Sequence, residues 1–486
     1  MTDTEPRGGG FRNRPISRPG MGRGVREHWQ RDQSSPQPSL DALAQYNEKS
    51  DRLRLIDAMP AKPVSERDRA YVLRVLQVLL IVVVVGQRIT VPLGFPISLP
   101  LIAAYVGILL LRLRGGIQYN RVRSELYIAA GAAIVASAWF TSWRGDDVSL
   151  NSLLLLLVIY LPWVFCVSNQ FSDLIIPMLR VFVRLMVFSA VVGSLQMVAQ
   201  LLLGWKYEDY LQSWLPPNWL AQGFNTSYQL AWNNPVTKAN SFYFLEPSFL
   251  CQFLALALII SLLIRAPAWQ PLLLGLGMAS TLSGTGIILL VVGIALLFIL
   301  VPNRIKPSYL VAGILGLAIV FATPAANILL DRRDETSQQG SSGYIRFVQP
   351  FTEVSSGLAE DPSRYVVGAG SGASDRLLES SAKGGDGAAV VYGIAPKMAF
   401  EYGLISAFLF IAFLLISIMR GPPLPVLPTC IVIMIFFLSG SLLQPHTIVL
   451  AWLLTSVWGP PVTVGVSALA SSLRRQPQVT ALSEPV

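Results

Sequence analysis

"KANSFYFLEPSFLCQFLALALIISLLI", residues 238–264, sets a lysine and then a Glu-Pro-Ser triplet directly against an apolar run long enough to enter a bilayer. Crossing takes about 20 mostly apolar residues, and after Glu246 no charged residue follows until Arg265. Pro247 suits the first turn of a helix, and Glu246 beside it suits the positive end of the helix dipole. That helix-start reading is complete in itself. A second reading, in which the carboxylate is there for chemistry, depends on which side of a membrane this corner faces.

The class follows from composition. Of 486 residues, 53% are hydrophobic and 13% charged, against about a quarter charged in soluble domains. The expected fold is all-α, a polytopic bundle of membrane helices. Cys166, Cys251 and Cys430 all lie in or against apolar runs and read as small hydrophobes, with no disulfide frame or metal site. A net charge of +9 would suggest nucleic acid in a soluble protein. In a membrane protein the distribution matters more, because Lys and Arg gather in cytoplasmic loops, and no nucleic-acid partner is expected.

Residues 1–68 are rich in Gly, Pro, Ser and Arg at first ("RGGGFRNRPISRPGMGRGVR") and then mixed in charge, the composition of a disordered cytoplasmic tail. No signal peptide is expected, since no apolar stretch precedes residue 70. Apolar runs then appear near 70–87, 93–112, 125–142, 149–168, 178–203, 245–264, 267–282, 284–302, 307–330, 397–419, 424–443 and 446–466. That makes about twelve spans within a domain of residues 69–466, followed by a cytoplasmic tail, 467–486. With the N-terminus inside, the even-numbered connections should be basic. They are: "RLRGGIQYNRVRSE" follows the second run, "VPNRIKPS" the eighth, "MRGPP" the tenth and "SSLRRQ" the last.

Two longer connections fall on the outer side. Residues 204–244 contain "WKYEDYLQSWLPPNWL", whose aromatic residues suit the headgroup zone. Residues 331–396, between spans 9 and 10, form a large periplasmic loop, and loops of that length are uncommon without a task. Neither carries zinc, P-loop or dinucleotide spacing. The glycines of "GAGSG", Gly368, Gly370 and Gly372, read as permitting a tight turn.

The order of pieces resembles a known superfamily. A Glu-Pro-Ser opens a central span, and a small-residue "STLSGTGIILLVVGIALLF" follows two spans later. A large outer loop then has an early Arg and a late "GAGSG", before "MAFEYGLISAFLFI" opens the next span. Over roughly residues 70–466 this is similar to the O-antigen polymerase and O-antigen ligase superfamily. Ligases of that group carry a histidine near the end of the large loop, whereas the matching stretch here, "AAVVYGIAPKMAFEYG", has none. The resemblance therefore favours a polymerase of O-antigen or exopolysaccharide repeat units. It implies a polyprenyl-pyrophosphate-linked oligosaccharide substrate at the outer face of a bacterial inner membrane, with both termini cytoplasmic. No cofactor and no metal are implied; a chain-length regulator and a flippase are the implied partners.

Transfer of such a glycan breaks a glycosyl–pyrophosphate bond, so negative charge grows on the leaving group and preorganised cations should wait there. Arg346, in "GYIRF", matches the early loop arginine of the superfamily and is the candidate pyrophosphate ligand; an ion pair with Asp331, Asp334 or Glu335 is the plainer reading. Lys238 stands where relatives place an arginine, but gives a point charge without the bidentate grip. Arg364 is a further candidate, set among acidic neighbours that also suit a solvated residue. An acceptor hydroxyl must lose a proton, and Glu246 is the candidate base, since burial raises a carboxyl toward working pH. Ser248 belongs to the same triplet. Glu401, in "AFEYG", reads as holding either structure or sugar hydroxyls. His446, in "LLQPHT", is expected to face out and to be structural or substrate-binding. Tyr344, like Tyr228, Trp232 and Tyr243, either stacks on a sugar or anchors in the interface.

Two other classes compete: a ligase moving finished glycan to an acceptor, and a transporter or flippase. The second would show two related six-span halves, and no such repeat is visible.

Overall fold

The computed structural model describes residues 64–92, 96–229, 236–321, 344, 348–359, 361–376, 392–421, 425–440 and 442–458. Residues 1–63 of the expected N-terminal tail, the whole expected C-terminal tail, Arg346 and Trp232 lie outside these residues. Apolar sequence in lipid has no water to bond its backbone, so a single run must close its N–H and C=O groups on itself as a helix. Each of the twelve apolar runs contains one.

The first four are α1 (Glu66–Val85), α2 (Leu99–Leu113), α3 (Arg121–Trp143) and α4 (Leu150–Tyr160). Next come α5 (Ile175–Leu203), α6 (Pro247–Leu263), α7 (Trp269–Thr281), α8 (Gly284–Leu300) and α9 (Pro307–Phe321). A surface helix, α10 (Gln349–Ala359), precedes α11 (Ile394–Met419). The last two are α12 (Val426–Ile433) and α13 (Pro445–Ala451), which continue as π-helical turns Met434–Leu438 and Trp452–Ser456.

Local chemistry sets the ends. Ser65, Asn120 and Ser149 cap α1, α3 and α4, each side chain accepting from the backbone N–H three residues on. Gly204, left-handed at φ 63°, closes α5. In three places the helices differ from the apolar runs. Residues 90–98 form a small antiparallel hairpin, β1 (Thr90–Pro92) with β2 (Pro96–Ser98), so α2 begins at Leu99 instead of near 93. The fourth run leaves its helix at Tyr160 for a 3-10 turn and β4 (Phe165–Val167), which pairs with β3 (Ile117–Tyr119). The last run, expected to reach about 466, stops being helical at Ser456, where Trp458 bridges to Val167.

The stretch 247–263 is the axis of the bundle. Every residue of α6 from Phe249 to Leu263 is buried, as expected of a helix that is apolar all round. Helices α5, α7 and α8 pack around it, and small residues allow the close approach. A Cβ on Gly286 of α8 would lie 2.5 Å from the Cys251 carbonyl oxygen, so only a glycine fits. On the other side of the molecule α11 packs along α3. The outward surface is apolar too: Ile128, Trp139, Phe188, Leu195, Leu202, Ile299 and Phe408 are all more than half exposed. A belt of that kind is stable only in lipid. The chain is a membrane protein. Among the described residues three helical segments are long and apolar enough to cross a bilayer by length and composition: Arg121–Trp143, Asn169–Leu203 and Ile394–Met419.

Candidate active site

The described parts of the connection between α5 and α6 are held by charges that apolar patterning did not single out. Arg88, just past α1, donates to Asp209 at 2.5 Å and to the Phe242 carbonyl at 3.0 Å. The pair is 3% and 7% exposed, and Thr226 donates a further bond to Asp209 at 2.6 Å. Burial alone would raise the Asp209 carboxyl, but the bonds from Arg88 and Thr226 offset it and leave its pKa below the ordinary value.

A second set of polar groups rises from α5. Gln200 Oε1 accepts from the Thr237 amide at 2.8 Å, and Gln196 Oε1 accepts from the amides of Asn240 and Ser241 at 3.1 and 3.0 Å. Ser241 and Phe242 are left-handed at φ 53° and 68°, each a strain of about 1–2 kcal/mol for a residue with a Cβ. Asn240 Oδ1 accepts from the Phe242 amide at 3.0 Å and holds the turn. This strained reversal brings the chain to Glu246 in extended conformation, one residue before Pro247 starts α6.

Glu246 sits at the helix start, yet its side chain makes no capping bond. Its carboxylate accepts from Ser248 Oγ at 2.9 Å and, at 3.4 Å, from the Asn225 amide. Lys238 is buried, with its ammonium 4.3 Å from the centre of the Tyr228 ring. Glu246 and Lys238 thus meet the same short segment, Asn225–Tyr228, at its two ends. His446 joins this corner through aromatic contacts. Its ring packs edge-on against Phe249 at 4.8 Å and Phe224 at 6.3 Å. His446, expected on the outer side from the loop charges, is 2% exposed, because Phe249 and Phe224 pack over its ring. Nε2 of His446 has no hydrogen-bond partner.

The other candidates lie elsewhere. Glu401 is wholly buried in α11, where the helix is broken at Gly403 (φ 76°, ψ 170°). The break frees two carbonyls, and the "GAGSG" segment takes them. The amides of Ala369 and Gly370 donate to the Phe400 and Glu401 carbonyls at 2.8 and 3.0 Å. Gly368, Gly370 and Gly372 all have positive φ, as the tight-turn reading requires, and a Cβ on Gly368 would lie 2.5 Å from the Glu401 carbonyl. Arg364 donates to the Gly357 carbonyl at 3.1 Å, and the Tyr344 carbonyl accepts from Val348 at 3.0 Å. Nearby, Asp361 is held below the usual carboxylate range by the Ser363 hydroxyl and by Arg144.

Glu246, Ser248, Lys238 and His446 therefore gather at one corner, and Glu401 and Arg364 at another. The two corners connect through the π-helical end of α12. Gln252 of α6 donates to the Leu438 carbonyl at 3.3 Å, and the Phe436 carbonyl is where a Cβ on Gly393 would strike, 2.8 Å away. Residues that had not been singled out include Arg88 and Asp209, the Gln196/Gln200 pair, and Lys397 four residues before Glu401. For Gln196/Gln200 and Lys397/Glu401 the available signal was charged or amide side chains at i, i+4 on otherwise apolar helices; Arg88 and Asp209 offered none. Among the described residues no group of three or more His, Cys, Asp or Glu side chains lies at metal-binding spacing.

Residues 75–458 match the family model of the WcaD colanic acid polymerase, a range that takes in both corners. No curated protein matches the chain, and no solved structure does.

Proposed function

We propose that this chain, which belongs to the WcaD colanic acid polymerase family, joins polyprenyl-pyrophosphate-linked repeat units into an exopolysaccharide at the outer face of the inner membrane. The observation that carries this reading is the family match over residues 75–458, on a bundle whose central helix opens with Glu-Pro-Ser. The match favours joining of repeat units over the ligase and transporter readings.

Twelve crossings with cytoplasmic termini fit the way the helix ends associate. Arg114 pairs with Asp68, Arg123 donates to the Ser456 and Trp458 carbonyls, and Lys306 donates to the Arg265 carbonyl. These are the ends the basic loops assign to the cytoplasm. At the opposite ends Arg88 meets Asp209, Arg144 meets Asp361 and the Ser149 amide meets the Ser371 carbonyl. Helices shorter than the hydrocarbon core, such as α6 at 17 residues or about 26 Å, then sit within a bundle whose neighbours cover their ends.

In this reading the acceptor hydroxyl lies against Glu246, which takes its proton as the oxygen attacks the anomeric carbon of the donor. Ser248 fixes the carboxylate rotamer. Charge growing on the pyrophosphate is met by Arg346 from the large loop and by Lys238, whose place over the Tyr228 ring keeps its ammonium out of bulk water. No metal or cofactor enters the scheme.

The lipid profile of a deletion strain tests the class of reaction. Loss of a polymerase leaves single lipid-linked repeats, whereas loss of a ligase leaves long lipid-linked polymer; the second outcome would overturn the reading.

A further inference from the structure

A polymerase must hold two glycans at once, and the corner at Glu246 serves one. The break in α11 has the makings of a seat for the other. Glu401 Oε1 accepts from the Ser374 hydroxyl and lies 3.6 Å from Lys397 Nζ. Lys397, itself buried, reaches on to Asp375 at 2.8 Å. Oε2, however, has no hydrogen-bond partner although Glu401 is 0% exposed. A buried carboxylate oxygen left bare is costly, and native structures seldom keep one without a role. With Glu401 ionised beside Lys397, the missing partner is a donor. Asp375 is half exposed and its charge is screened by solvent, so within the buried pocket Lys397 already answers Glu401 and no second cation is called for. An anion is disfavoured by the Glu401 charge itself. A neutral hydroxyl fits, and the glycan supplies hydroxyls in number.

The cover over this oxygen is a short glycine-rich segment held by few bonds. Three glycines at positive φ within five residues form a segment seated on the broken helix by the Ala369 and Gly370 amide bonds. Asp375, at the end of that segment, is half exposed on the outer surface. Gly403 lets the segment seat this closely on α11, since a Cβ there would lie 2.2 Å from the Val366 carbonyl oxygen.

We propose that Glu401, backed by Lys397 and Ser374, binds a hydroxyl of the second lipid-linked glycan, the one not seated at Glu246, when the segment 368–374 lifts from the α11 break. This rests on the reading of the chain as a polymerase of lipid-linked glycans. It extends that reading to a binding site whose role is to hold substrate and not to move the acceptor proton.

The test uses the full-length protein in detergent with lipid-linked repeat units extracted from a strain that lacks it. A fluorescent hydrophobic carbodiimide labels Glu401, located by peptide mapping, and saturating repeat units slow that labelling about fivefold or more. The same protection is expected in a Glu246→Gln protein, which binds but does not join, so the two readings fail separately. In kinetics, Glu401→Gln raises KM about tenfold or more while kcat stays within about threefold. Glu401→Gln and wild type with equal KM would overturn the proposal. If that variant does not fold, labelling of the wild type decides alone: labelling unchanged by substrate, or absent even without it, overturns the proposal, since a site that never opens cannot take a sugar.

Discussion

Replacing Glu246 by Gln separates a helix-start role from a chemical one, because the structure bounds the first so tightly. The Glu246 side chain makes no capping bond to α6; its contacts are Ser248 Oγ at 2.9 Å and the Asn225 amide at 3.4 Å. A Gln carbonyl oxygen accepts from either, so what is lost is the charge facing the helix dipole, about 0.3–1 kcal/mol. The melting temperature in detergent should then fall by no more than about 4 °C. Removing a general base costs about a hundredfold to ten-thousandfold in rate, or about 2.7–5.5 kcal/mol of barrier. The two effects differ severalfold in energy and appear in different assays. Initial rates of chain growth, with purified protein at equal concentration and lipid-linked repeat units, should therefore collapse in Glu246→Gln while melting barely moves. Glu246→Asp, which draws the carboxylate back by one methylene, should keep a small part of the rate. A Gln variant within about twofold of wild type would refute the base role and leave Glu246 a helix-start residue.

Asp209→Asn should lower stability by about 3–5 kcal/mol, read by thermal melting, because it leaves the buried Arg88 charge without its partner. The Asp209 carboxyl has a pKa below its ordinary value, so its stabilisation is present above the unfolded carboxylate pKa of about 3.9 and is lost as pH falls through the lower folded value. Melting of the wild type should drop in that acid window, and Asp209→Asn should lack this step. Gly286→Ala places a methyl group against the Cys251 backbone and should cost about 1–3 kcal/mol by overpacking, again by melting. Arg346→Ala should abolish polymer in a strain that still inserts the protein, with Lys restoring part; normal chain length would remove Arg346 from the site. A cysteine at Ser355 should be labelled from the periplasm by an impermeant maleimide, and labelling only after the cytoplasmic side is opened would overturn the topology.

Much of the bundle was legible because apolar runs have one backbone solution in lipid, and the helix start at Pro247 was legible because proline fits so few other places. What composition could not supply was the end of each run. The 90–98 hairpin and the turn from Tyr160 into β4 are both apolar, so hydropathy runs straight through them. The surroundings of His446 were not legible either: that Phe224 packs on its ring depends on how the chain returns from α5 to α6. Glu246 and Lys238 were visible as charges against apolar sequence. Arg88 and Asp209 were not paired by any reading, since 121 residues separate them and only the fold brings them together. The glycines of "GAGSG" announced a turn, but that the turn docks on a broken helix and encloses Glu401 depends on Gly403, which within an apolar run looks like ordinary helix packing.

The central claim is that this chain by itself lengthens lipid-linked glycans. Purified protein reconstituted in vesicles and given only lipid-linked single repeats, with no nucleotide sugar and with chelator present, tests it most directly. A ladder of lipid-linked products stepping by one repeat, with free polyprenyl pyrophosphate released at each step, is the predicted result. Repeats that remain single, whether untouched or merely moved across the vesicle membrane, would contradict it.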